Sequence, residues 1–135
     1  MRRRSNCHFD GDSDDDLVVA TRGGIGAGGG FVLTNNGTSW AGAALPGTFN
    51  TDCMAVGTGP LDAGTSVDIV LLEGDAASGR AHVYANTTGS FAAIAGSPFA
   101  IDAAPTSIAV GDLDGDGDND VALTSNKPAF PLSPG

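Results

Sequence analysis

Five aspartates occupy alternate positions of one nine-residue stretch, residues 112–120, and glycines stand at its fourth and sixth places. Carboxylates this close repel one another unless a cation lies among them. Ca²⁺ selects oxygen ligands on loops that glycine allows to turn sharply. The predicted ligands are the side chains of Asp112, Asp114, Asp116 and Asp120 and the backbone carbonyl of Asp118.

Two other interpretations of this stretch fit its residues less well. A solvated acidic turn also uses Asp and Gly, but five regularly spaced carboxylates exceed what a turn needs. The helical calcium loop begins with the same pattern but needs a bidentate Glu at its twelfth position, where this sequence has Leu123. The pattern therefore favours a calcium loop between strands.

The composition predicts one modest all-β domain. Glycine contributes 21 of 135 residues, and short apolar runs recur between Gly, Asn, Asp and Ser without helical spacing. The net charge of −10 argues against nucleic acid or an anionic membrane surface as a partner. No apolar stretch approaches the length of a membrane span, so we expect no membrane insertion.

An internal repeat explains most of the sequence. Residues 9–19 align with residues 61–71 and again with residues 113–123, at an offset of 52 each time. Two further landmarks recur in the same order. Residues 32–40 resemble residues 83–91, and residues 54–57 resemble residues 108–111.

Each repeat is expected to hold about four short antiparallel strands, which is the size of one propeller blade. In the second repeat the strands are predicted at residues 53–56, 69–72, 80–85 and 91–94. At a period of 52, the chain holds about 2.6 repeats, fewer than the four to eight blades that close a propeller. We therefore expect an incomplete propeller with open blade edges. A slice of a longer protein is favoured, and the alternatives are copies that associate into a ring through those edges or edges that are capped in another way.

The third loop and its surroundings resemble the FG-GAP or VCBS repeats. The resemblance rests on the Asp-rich loop at residues 112–120, the Ile-Ala-Val-Gly before it and the Asn-x-x-Gly-x-Phe hairpin at residues 86–91. Such repeats build the calcium-binding β-propellers of integrin α-chain heads, some fungal lectins and many bacterial surface proteins. The resemblance implies that residues 7–126 form propeller blades, with calcium on one rim.

The other two loops carry fewer ligands. The loop at residues 8–16 has His8 at its first position, and imidazole suits Ca²⁺ poorly, so we predict a weaker site there. Its candidate ligands are Asp10, Asp12, Asp14 and Asp16. The loop at residues 60–68 keeps carboxylates at only two of these positions, and no metal is predicted there.

The remaining signals are weaker. Cys7 and Cys53 have no metal spacing and are expected to be buried thiols. Trp40 and Phe91 share a repeat position, which favours packing between blades, with sugar stacking by Trp40 as a minor alternative. His82 is expected to be structural or exposed, and no catalytic constellation is recognised.

These observations favour a non-catalytic, calcium-stabilised scaffold for binding or adhesion, extracellular or at the cell surface. Its ligand, a protein or a glycan, stays open. The first alternative is a carbohydrate-binding propeller module, and the second is an accessory propeller of a larger secreted hydrolase. A basic tail is expected at residues 1–6 and a Pro-rich tail or linker at residues 127–135.

Overall fold

Antiparallel β-sheet makes up the structure, a computed structural model that describes residues 7–23 and 28–126. The two expected tails, residues 1–6 and 127–135, lie outside the described residues. Within the described ranges, no helix is long and apolar enough to cross a membrane. The strands there are β1 Leu17–Thr21, β2 Gly29–Asn35, β3 Trp40–Ala44, β4 Cys53–Gly59, β5 Asp68–Gly74, β6 Gly79–Thr87, β7 Ser90–Ala93, β8 Phe99–Ile101, β9 Pro105–Gly111 and β10 Asp120–Ser125.

Three sheets follow one another along the chain. The first sheet contains β1, β2 and β3, and the third sheet contains β9 and β10. The second sheet contains β4, β5, β6 and β7 in that order, with β8 paired to the beginning of β6. Every pairing is antiparallel, and the described strands form no closed barrel. The all-β class and the incomplete propeller-like architecture are therefore confirmed.

All four strands predicted for the second repeat are present as β4, β5, β6 and β7. The turn between β6 and β7 places Thr88 at φ 50° and Gly89 at φ 84°. A two-residue hairpin needs this left-handed backbone at its central positions, because it matches the twist of the two strands. The Thr-Thr-Gly sequence therefore sets the end of β6 and the start of β7.

Strand register confirms the repeat. Leu17 lies opposite Leu33 in the first sheet, and Ile69 lies opposite Tyr84 in the second. Each of these pairs consists of equivalent residues at the offsets found in the sequence. The first and second sheets are thus two copies of the same pairing.

One landmark of the repeat was aligned wrongly. Gly59 lies opposite Asp68, and Gly111 lies opposite Asp120, so residues 56–59 are the structural equivalent of residues 108–111. The sequence match at residues 54–57 is displaced by two positions. Because side chains alternate along a strand, a shift of two leaves each residue on the same face, and the two alignments look alike in sequence.

The core lies on both sides of β5, whose seven residues are all buried. Its continuous apolar run is typical of a strand covered on both faces. Ile69 and Leu71 pack toward the first sheet, while Val70 and Leu72 pack toward the third. The cluster between the first and second sheets contains Cys7, Phe9, Val32, Leu45, Cys53, Ile69, Leu71 and Tyr84, and the cluster between the second and third contains Val70, Leu72, Ala81 and Ile108.

The two aromatic residues that share a repeat position have different surroundings. Phe91 packs edge-on against Phe9, with ring centroids 5.3 Å apart, as expected for packing between blades. Trp40 is 54 % exposed, so the packing expected for it is wrong. Both residues lie on the outer strand of their sheet. Phe91 contacts Phe9 of the preceding repeat, whereas the described residues contain no repeat before the one that holds Trp40.

Candidate metal centre

The third loop joins β9 to β10 and brings three of its aspartates together. One carboxylate oxygen each from Asp112, Asp114 and Asp116 lie within 4.8 Å of one another, and all three residues are exposed. Asp118 and Asp120 lie outside this group. The donor set consists of oxygen atoms only, which fits a hard cation such as Ca²⁺.

Backbone N–H groups hold the third loop in shape. Asp112 accepts hydrogen bonds from the N–H of Gly115 at 2.7 Å and from that of Gly117 at 3.0 Å. Both glycines have positive φ, 81° and 96°, which a side chain would disfavour. The bends at these glycines turn the chain around the carboxylates.

Two further bonds of the same loop run from one aspartate to the next. Asp114 accepts from the N–H of Asp116 at 3.1 Å, and Asp116 accepts from the N–H of Asp118 at 2.9 Å. In each case a carboxylate bonds to the backbone two residues on, as in an Asx turn. The spacing of the aspartates thus serves the loop conformation as well as the grouping of the carboxylates.

The last aspartate of each loop has a different task. Its carboxylate accepts the N–H of the residue at the second loop position and so closes the loop. The three bonds are Phe9 to Asp16 at 2.7 Å, Leu61 to Asp68 at 2.8 Å and Leu113 to Asp120 at 2.9 Å. Closure therefore occurs in all three copies, whatever their other ligands.

The first loop does not reproduce the close group of three carboxylates within the part of the chain that is described. Asp10 accepts from the N–H of Asp12 at 3.1 Å, and Asp12 accepts from that of Asp14 at 2.9 Å. Asp16 is fully buried, and its two oxygens accept the N–H groups of Phe9 and Asn35. The weaker metal site proposed for this loop stays a prediction.

At the head of the first loop, His8 lies near the backbone rather than among the carboxylates. Its Nδ1 is 2.9 Å from the carbonyl oxygen of Asp14, and its Nε2 is 3.8 Å from Asp15. The histidine thus stands where Asp112 stands in the third loop but contacts a carbonyl.

The second loop keeps its shape with two carboxylates. Asp62 accepts from the N–H of Gly64 at 2.7 Å, and Asp68 closes the loop. The loop conformation is therefore kept without the full set of carboxylates. The absence of metal there stays a prediction.

A buried polar cluster on the second sheet was missed in the sequence. Glu73 is 1 % exposed and bonds to Arg80 at 2.7 and 2.9 Å and to His82 at 2.6 Å. It also accepts the backbone N–H groups of Asn50 and Thr51. His82 is therefore structural and buried. The available signal was a single Glu in the apolar run of β5, with basic residues in the strand that follows.

The electrostatics of this cluster are dominated by its hydrogen bonds. Burial alone would raise the pKa of Glu73, but the bonds from His82, Arg80 and the two backbone N–H groups outweigh it and hold the pKa at about 2. Glu73 is thus a carboxylate at neutral pH. Because its partners satisfy it, the cluster ties β5 and β6 to the segment before β4.

Cys53 lies beside this cluster, opposite Glu73 in the sheet. Burial raises the pKa of its thiol to about 12, with the Glu73 and Asp52 carboxylates acting in the same direction and Arg80 opposing them. A thiol needs to ionise to act as a nucleophile or a metal ligand. Cys53 is therefore a core residue.

The comparisons with known proteins bear on the same region. The family described as FG-GAP-like repeat matches residues 65–123, which run from within the second loop through β5, β6, β7, β8, β9 and the third loop into β10, and leave out β4. No curated protein and no solved structure matches the chain. The resemblance to FG-GAP repeats is thereby confirmed over this segment.

Proposed function

We propose, from the premise that residues 65–123 are an FG-GAP-like repeat, that this chain is a non-catalytic calcium-binding module that serves as a binding scaffold at the cell surface or outside the cell. The observation that carries the proposal is the group of exposed carboxylates of Asp112, Asp114 and Asp116 within 4.8 Å of one another. Three negative charges at this separation favour a cation among them.

The chemistry of the loop supports calcium over other metals. Zn²⁺ sites use Cys or His, and the third loop has neither. Mg²⁺ demands near-ideal octahedral geometry and keeps several waters, whereas Ca²⁺ tolerates six to eight oxygens in flexible arrangements. In this proposal Asp120 and the carbonyl of Asp118 complete the ligand set.

The exposure of the three carboxylates supports the proposed location outside the cell or at its surface. A solvent-exposed site of this kind is expected to bind in the range of about 10⁻⁴ to 10⁻³ M, as extracellular calcium modules do. Such a site fills only where calcium is near millimolar. The placement outside the cell rests on this affinity.

The role of the cation would be mechanical. The loop connects the facing ends of β9 and β10, so a cation held by its carboxylates would fix the turn between them. Binding of a protein or glycan partner would then use the surface of the sheets, with calcium setting their geometry rather than taking part in a reaction.

Isothermal titration calorimetry with calcium chloride tests the proposal. We expect the chain to bind calcium and the double variant Asp114→Asn with Asp116→Asn to lose the heat of the tighter site. Asp62→Asn, at the equivalent place in the second loop, is the matched control and should bind as the unmodified chain does. No calcium binding by the unmodified chain, or equal binding by the double variant, would overturn the assignment.

A carbohydrate-binding function is the second candidate, and the exposure of Trp40 favours it. Solvent-exposed tryptophan rings on a sheet can stack on sugar rings, and this is the chain's single tryptophan. A titration with common sugars should therefore quench the fluorescence of Trp40, which no other tryptophan obscures. An unchanged Trp40 emission spectrum with all of those sugars would count against a carbohydrate-binding function.

A further inference from the structure

One side of the first sheet presents apolar side chains to solvent. Leu17, Val19 and Phe31 are 40 %, 39 % and 44 % exposed. Leu33 lies opposite Leu17, and Phe31 lies opposite Val19, so these four side chains project from the same side. We call this side the outward face. The opposite side, which carries Val32, packs on the second sheet.

The equivalent side of the second sheet is completely covered. Its residues at the same repeat and register positions are Ile69, Leu71, His82 and Tyr84, which are at most 4 % exposed. Val32 of the first sheet packs with Ile69, Leu71 and Tyr84, together with Phe9 and Leu45 of the adjoining loops. Phe49 lies against His82. The repeat thus already contains a partner for this kind of face, namely the opposite side of a neighbouring sheet.

The third sheet shows the other half of the same contact. The third sheet occupies the space beside Gly59 of β4. A Cβ placed on Gly59 would lie 2.7 Å from Val110 Cγ1. Its equivalent Gly111 would meet nothing within 4 Å. The exposed residues Ala109 and Ala122 lie opposite each other on the same side as Gly111. We call this side the small-residue face.

We propose that the outward face of the first sheet binds the small-residue face of the third sheet of a second copy of this chain. The argument is continuity with the contacts that join the three sheets of one copy, since each copy exposes one half of that contact at either end. Bulky side chains of the outward face would lie against Ala and Gly, as Val110 already lies against Gly59.

The contact joins two different surfaces and is therefore head-to-tail. Such contacts form a ring when the rotation closes and a filament when it does not. Two copies with three sheets each would place about six sheets around one axis, within the four to eight at which propellers close.

The charge of the chain opposes the association and makes it depend on the salt concentration. Each copy carries a net charge of −10. The apolar residues named on the two faces are uncharged, but Asp120 lies opposite Gly111 on the side of the small-residue face. The attraction comes from apolar burial, and the repulsion between copies is screened by salt. Association should therefore strengthen as the salt concentration rises.

Sedimentation equilibrium of the full chain, over the micromolar range and at two salt concentrations, measures the association. Phe31→Glu places a charge on the outward face, and Ala122→Glu places one on the small-residue face. Each should weaken association by about tenfold or more, since each buries an unpaired carboxylate. Phe99→Glu is the matched control, because Phe99 is 42 % exposed and belongs to neither face.

Mixing the two blocked variants gives the sharpest test. Phe31→Glu keeps an intact small-residue face, and Ala122→Glu keeps an intact outward face, so a mixture should form one-to-one dimers although neither variant associates alone. A ring or a filament of the unmodified chain supports the proposal. Val19→Lys and Ala109→Glu replace the first pair if circular dichroism shows that either variant is unfolded.

Two results would overturn the proposal. One is an unmodified chain that stays monomeric at high salt. The other is an association that Phe31→Glu abolishes and Ala122→Glu leaves intact, because that would be a symmetric contact between two outward faces.

Discussion

Asp68 accepts a hydrogen bond from the backbone N–H of Asn86 at 2.8 Å, which joins the last position of the second loop to β6. Its other oxygen closes the loop by accepting the N–H of Leu61. Asp16 makes the same pair of bonds in the first repeat, and both carboxylates are almost fully buried. The last aspartate of a loop is therefore a structural residue even where the other ligands have been lost.

Replacing Asp68 should destabilise the fold regardless of calcium. Asp68→Ala leaves two N–H groups without their acceptor, and each buried unsatisfied donor costs about 1 to 3 kcal/mol. We expect the free energy of unfolding to fall by about 3 kcal/mol in urea titrations, equally with calcium and with chelator. Asp62→Ala, in the same loop but exposed, should change it by less than about 1 kcal/mol. Similar losses for the two variants would contradict the structural role.

Removing calcium should lower the stability modestly. For a dissociation constant of about 10⁻⁴ M and about 1 mM calcium, binding to the folded state adds about 1.4 kcal/mol. Chelation should therefore lower the melting temperature by about 5 °C without unfolding the chain at room temperature. The double variant Asp114→Asn with Asp116→Asn should show no such shift. Identical melting curves with and without chelator would count against a metal in the third loop.

The sequence carried enough information for the loops and the strands of the second repeat. Regular spacing of aspartates is a local pattern, and the strand β5 is a local apolar run, so both can be read without knowing what packs on them. The exposure of Trp40, in contrast, depends on contacts between residues that are distant in the sequence. Trp40 and Phe91 occupy equivalent outer strands, but among the described residues only Phe91 has a preceding repeat, with Phe9, to pack on.

The cluster around Glu73 could not be predicted for a related reason. Its partners Arg80 and His82 are seven and nine residues further along the chain and reach it through the register of β5 against β6. A shift of one residue in that register would turn the basic side chains to the other face. The sequence gives no means of fixing the register before the turn at residues 75–78 is known.

Acid should weaken the fold through Glu73. Its pKa is about 2 in the folded state against an ordinary value of 4.5, so its contribution to stability is complete above about pH 4.5 and is lost as the pH falls toward 2. Glu73→Gln should be less stable at pH 7 by about 3 kcal/mol, because Arg80 and His82 lose a buried partner.

The pH dependence separates this effect from a general loss of packing. The difference in unfolding free energy between the unmodified chain and Glu73→Gln should shrink between pH 4.5 and 2, as measured by urea titrations at several pH values. Arg80→Met removes one of the bonds that lower the pKa of Glu73, so its acid transition should move to higher pH. A difference that stays constant across this window would exclude the proposed ionisation.

Cys53 should resist alkylation as long as the chain is folded. Alkylation proceeds through the thiolate, and a thiol whose pKa burial has raised to about 12 holds only about one part in ten thousand in that form at pH 8. Iodoacetamide labelling followed by peptide mass spectrometry should find Cys53 unmodified in buffer and fully modified in urea. Burial is the larger cause of the raised pKa, so folded Glu73→Gln, which removes only the nearby negative charge, should also resist labelling. Rapid modification of Cys53 in the folded, unmodified chain would show that the space between β4 and β5 opens to solvent and would contradict its place in the core.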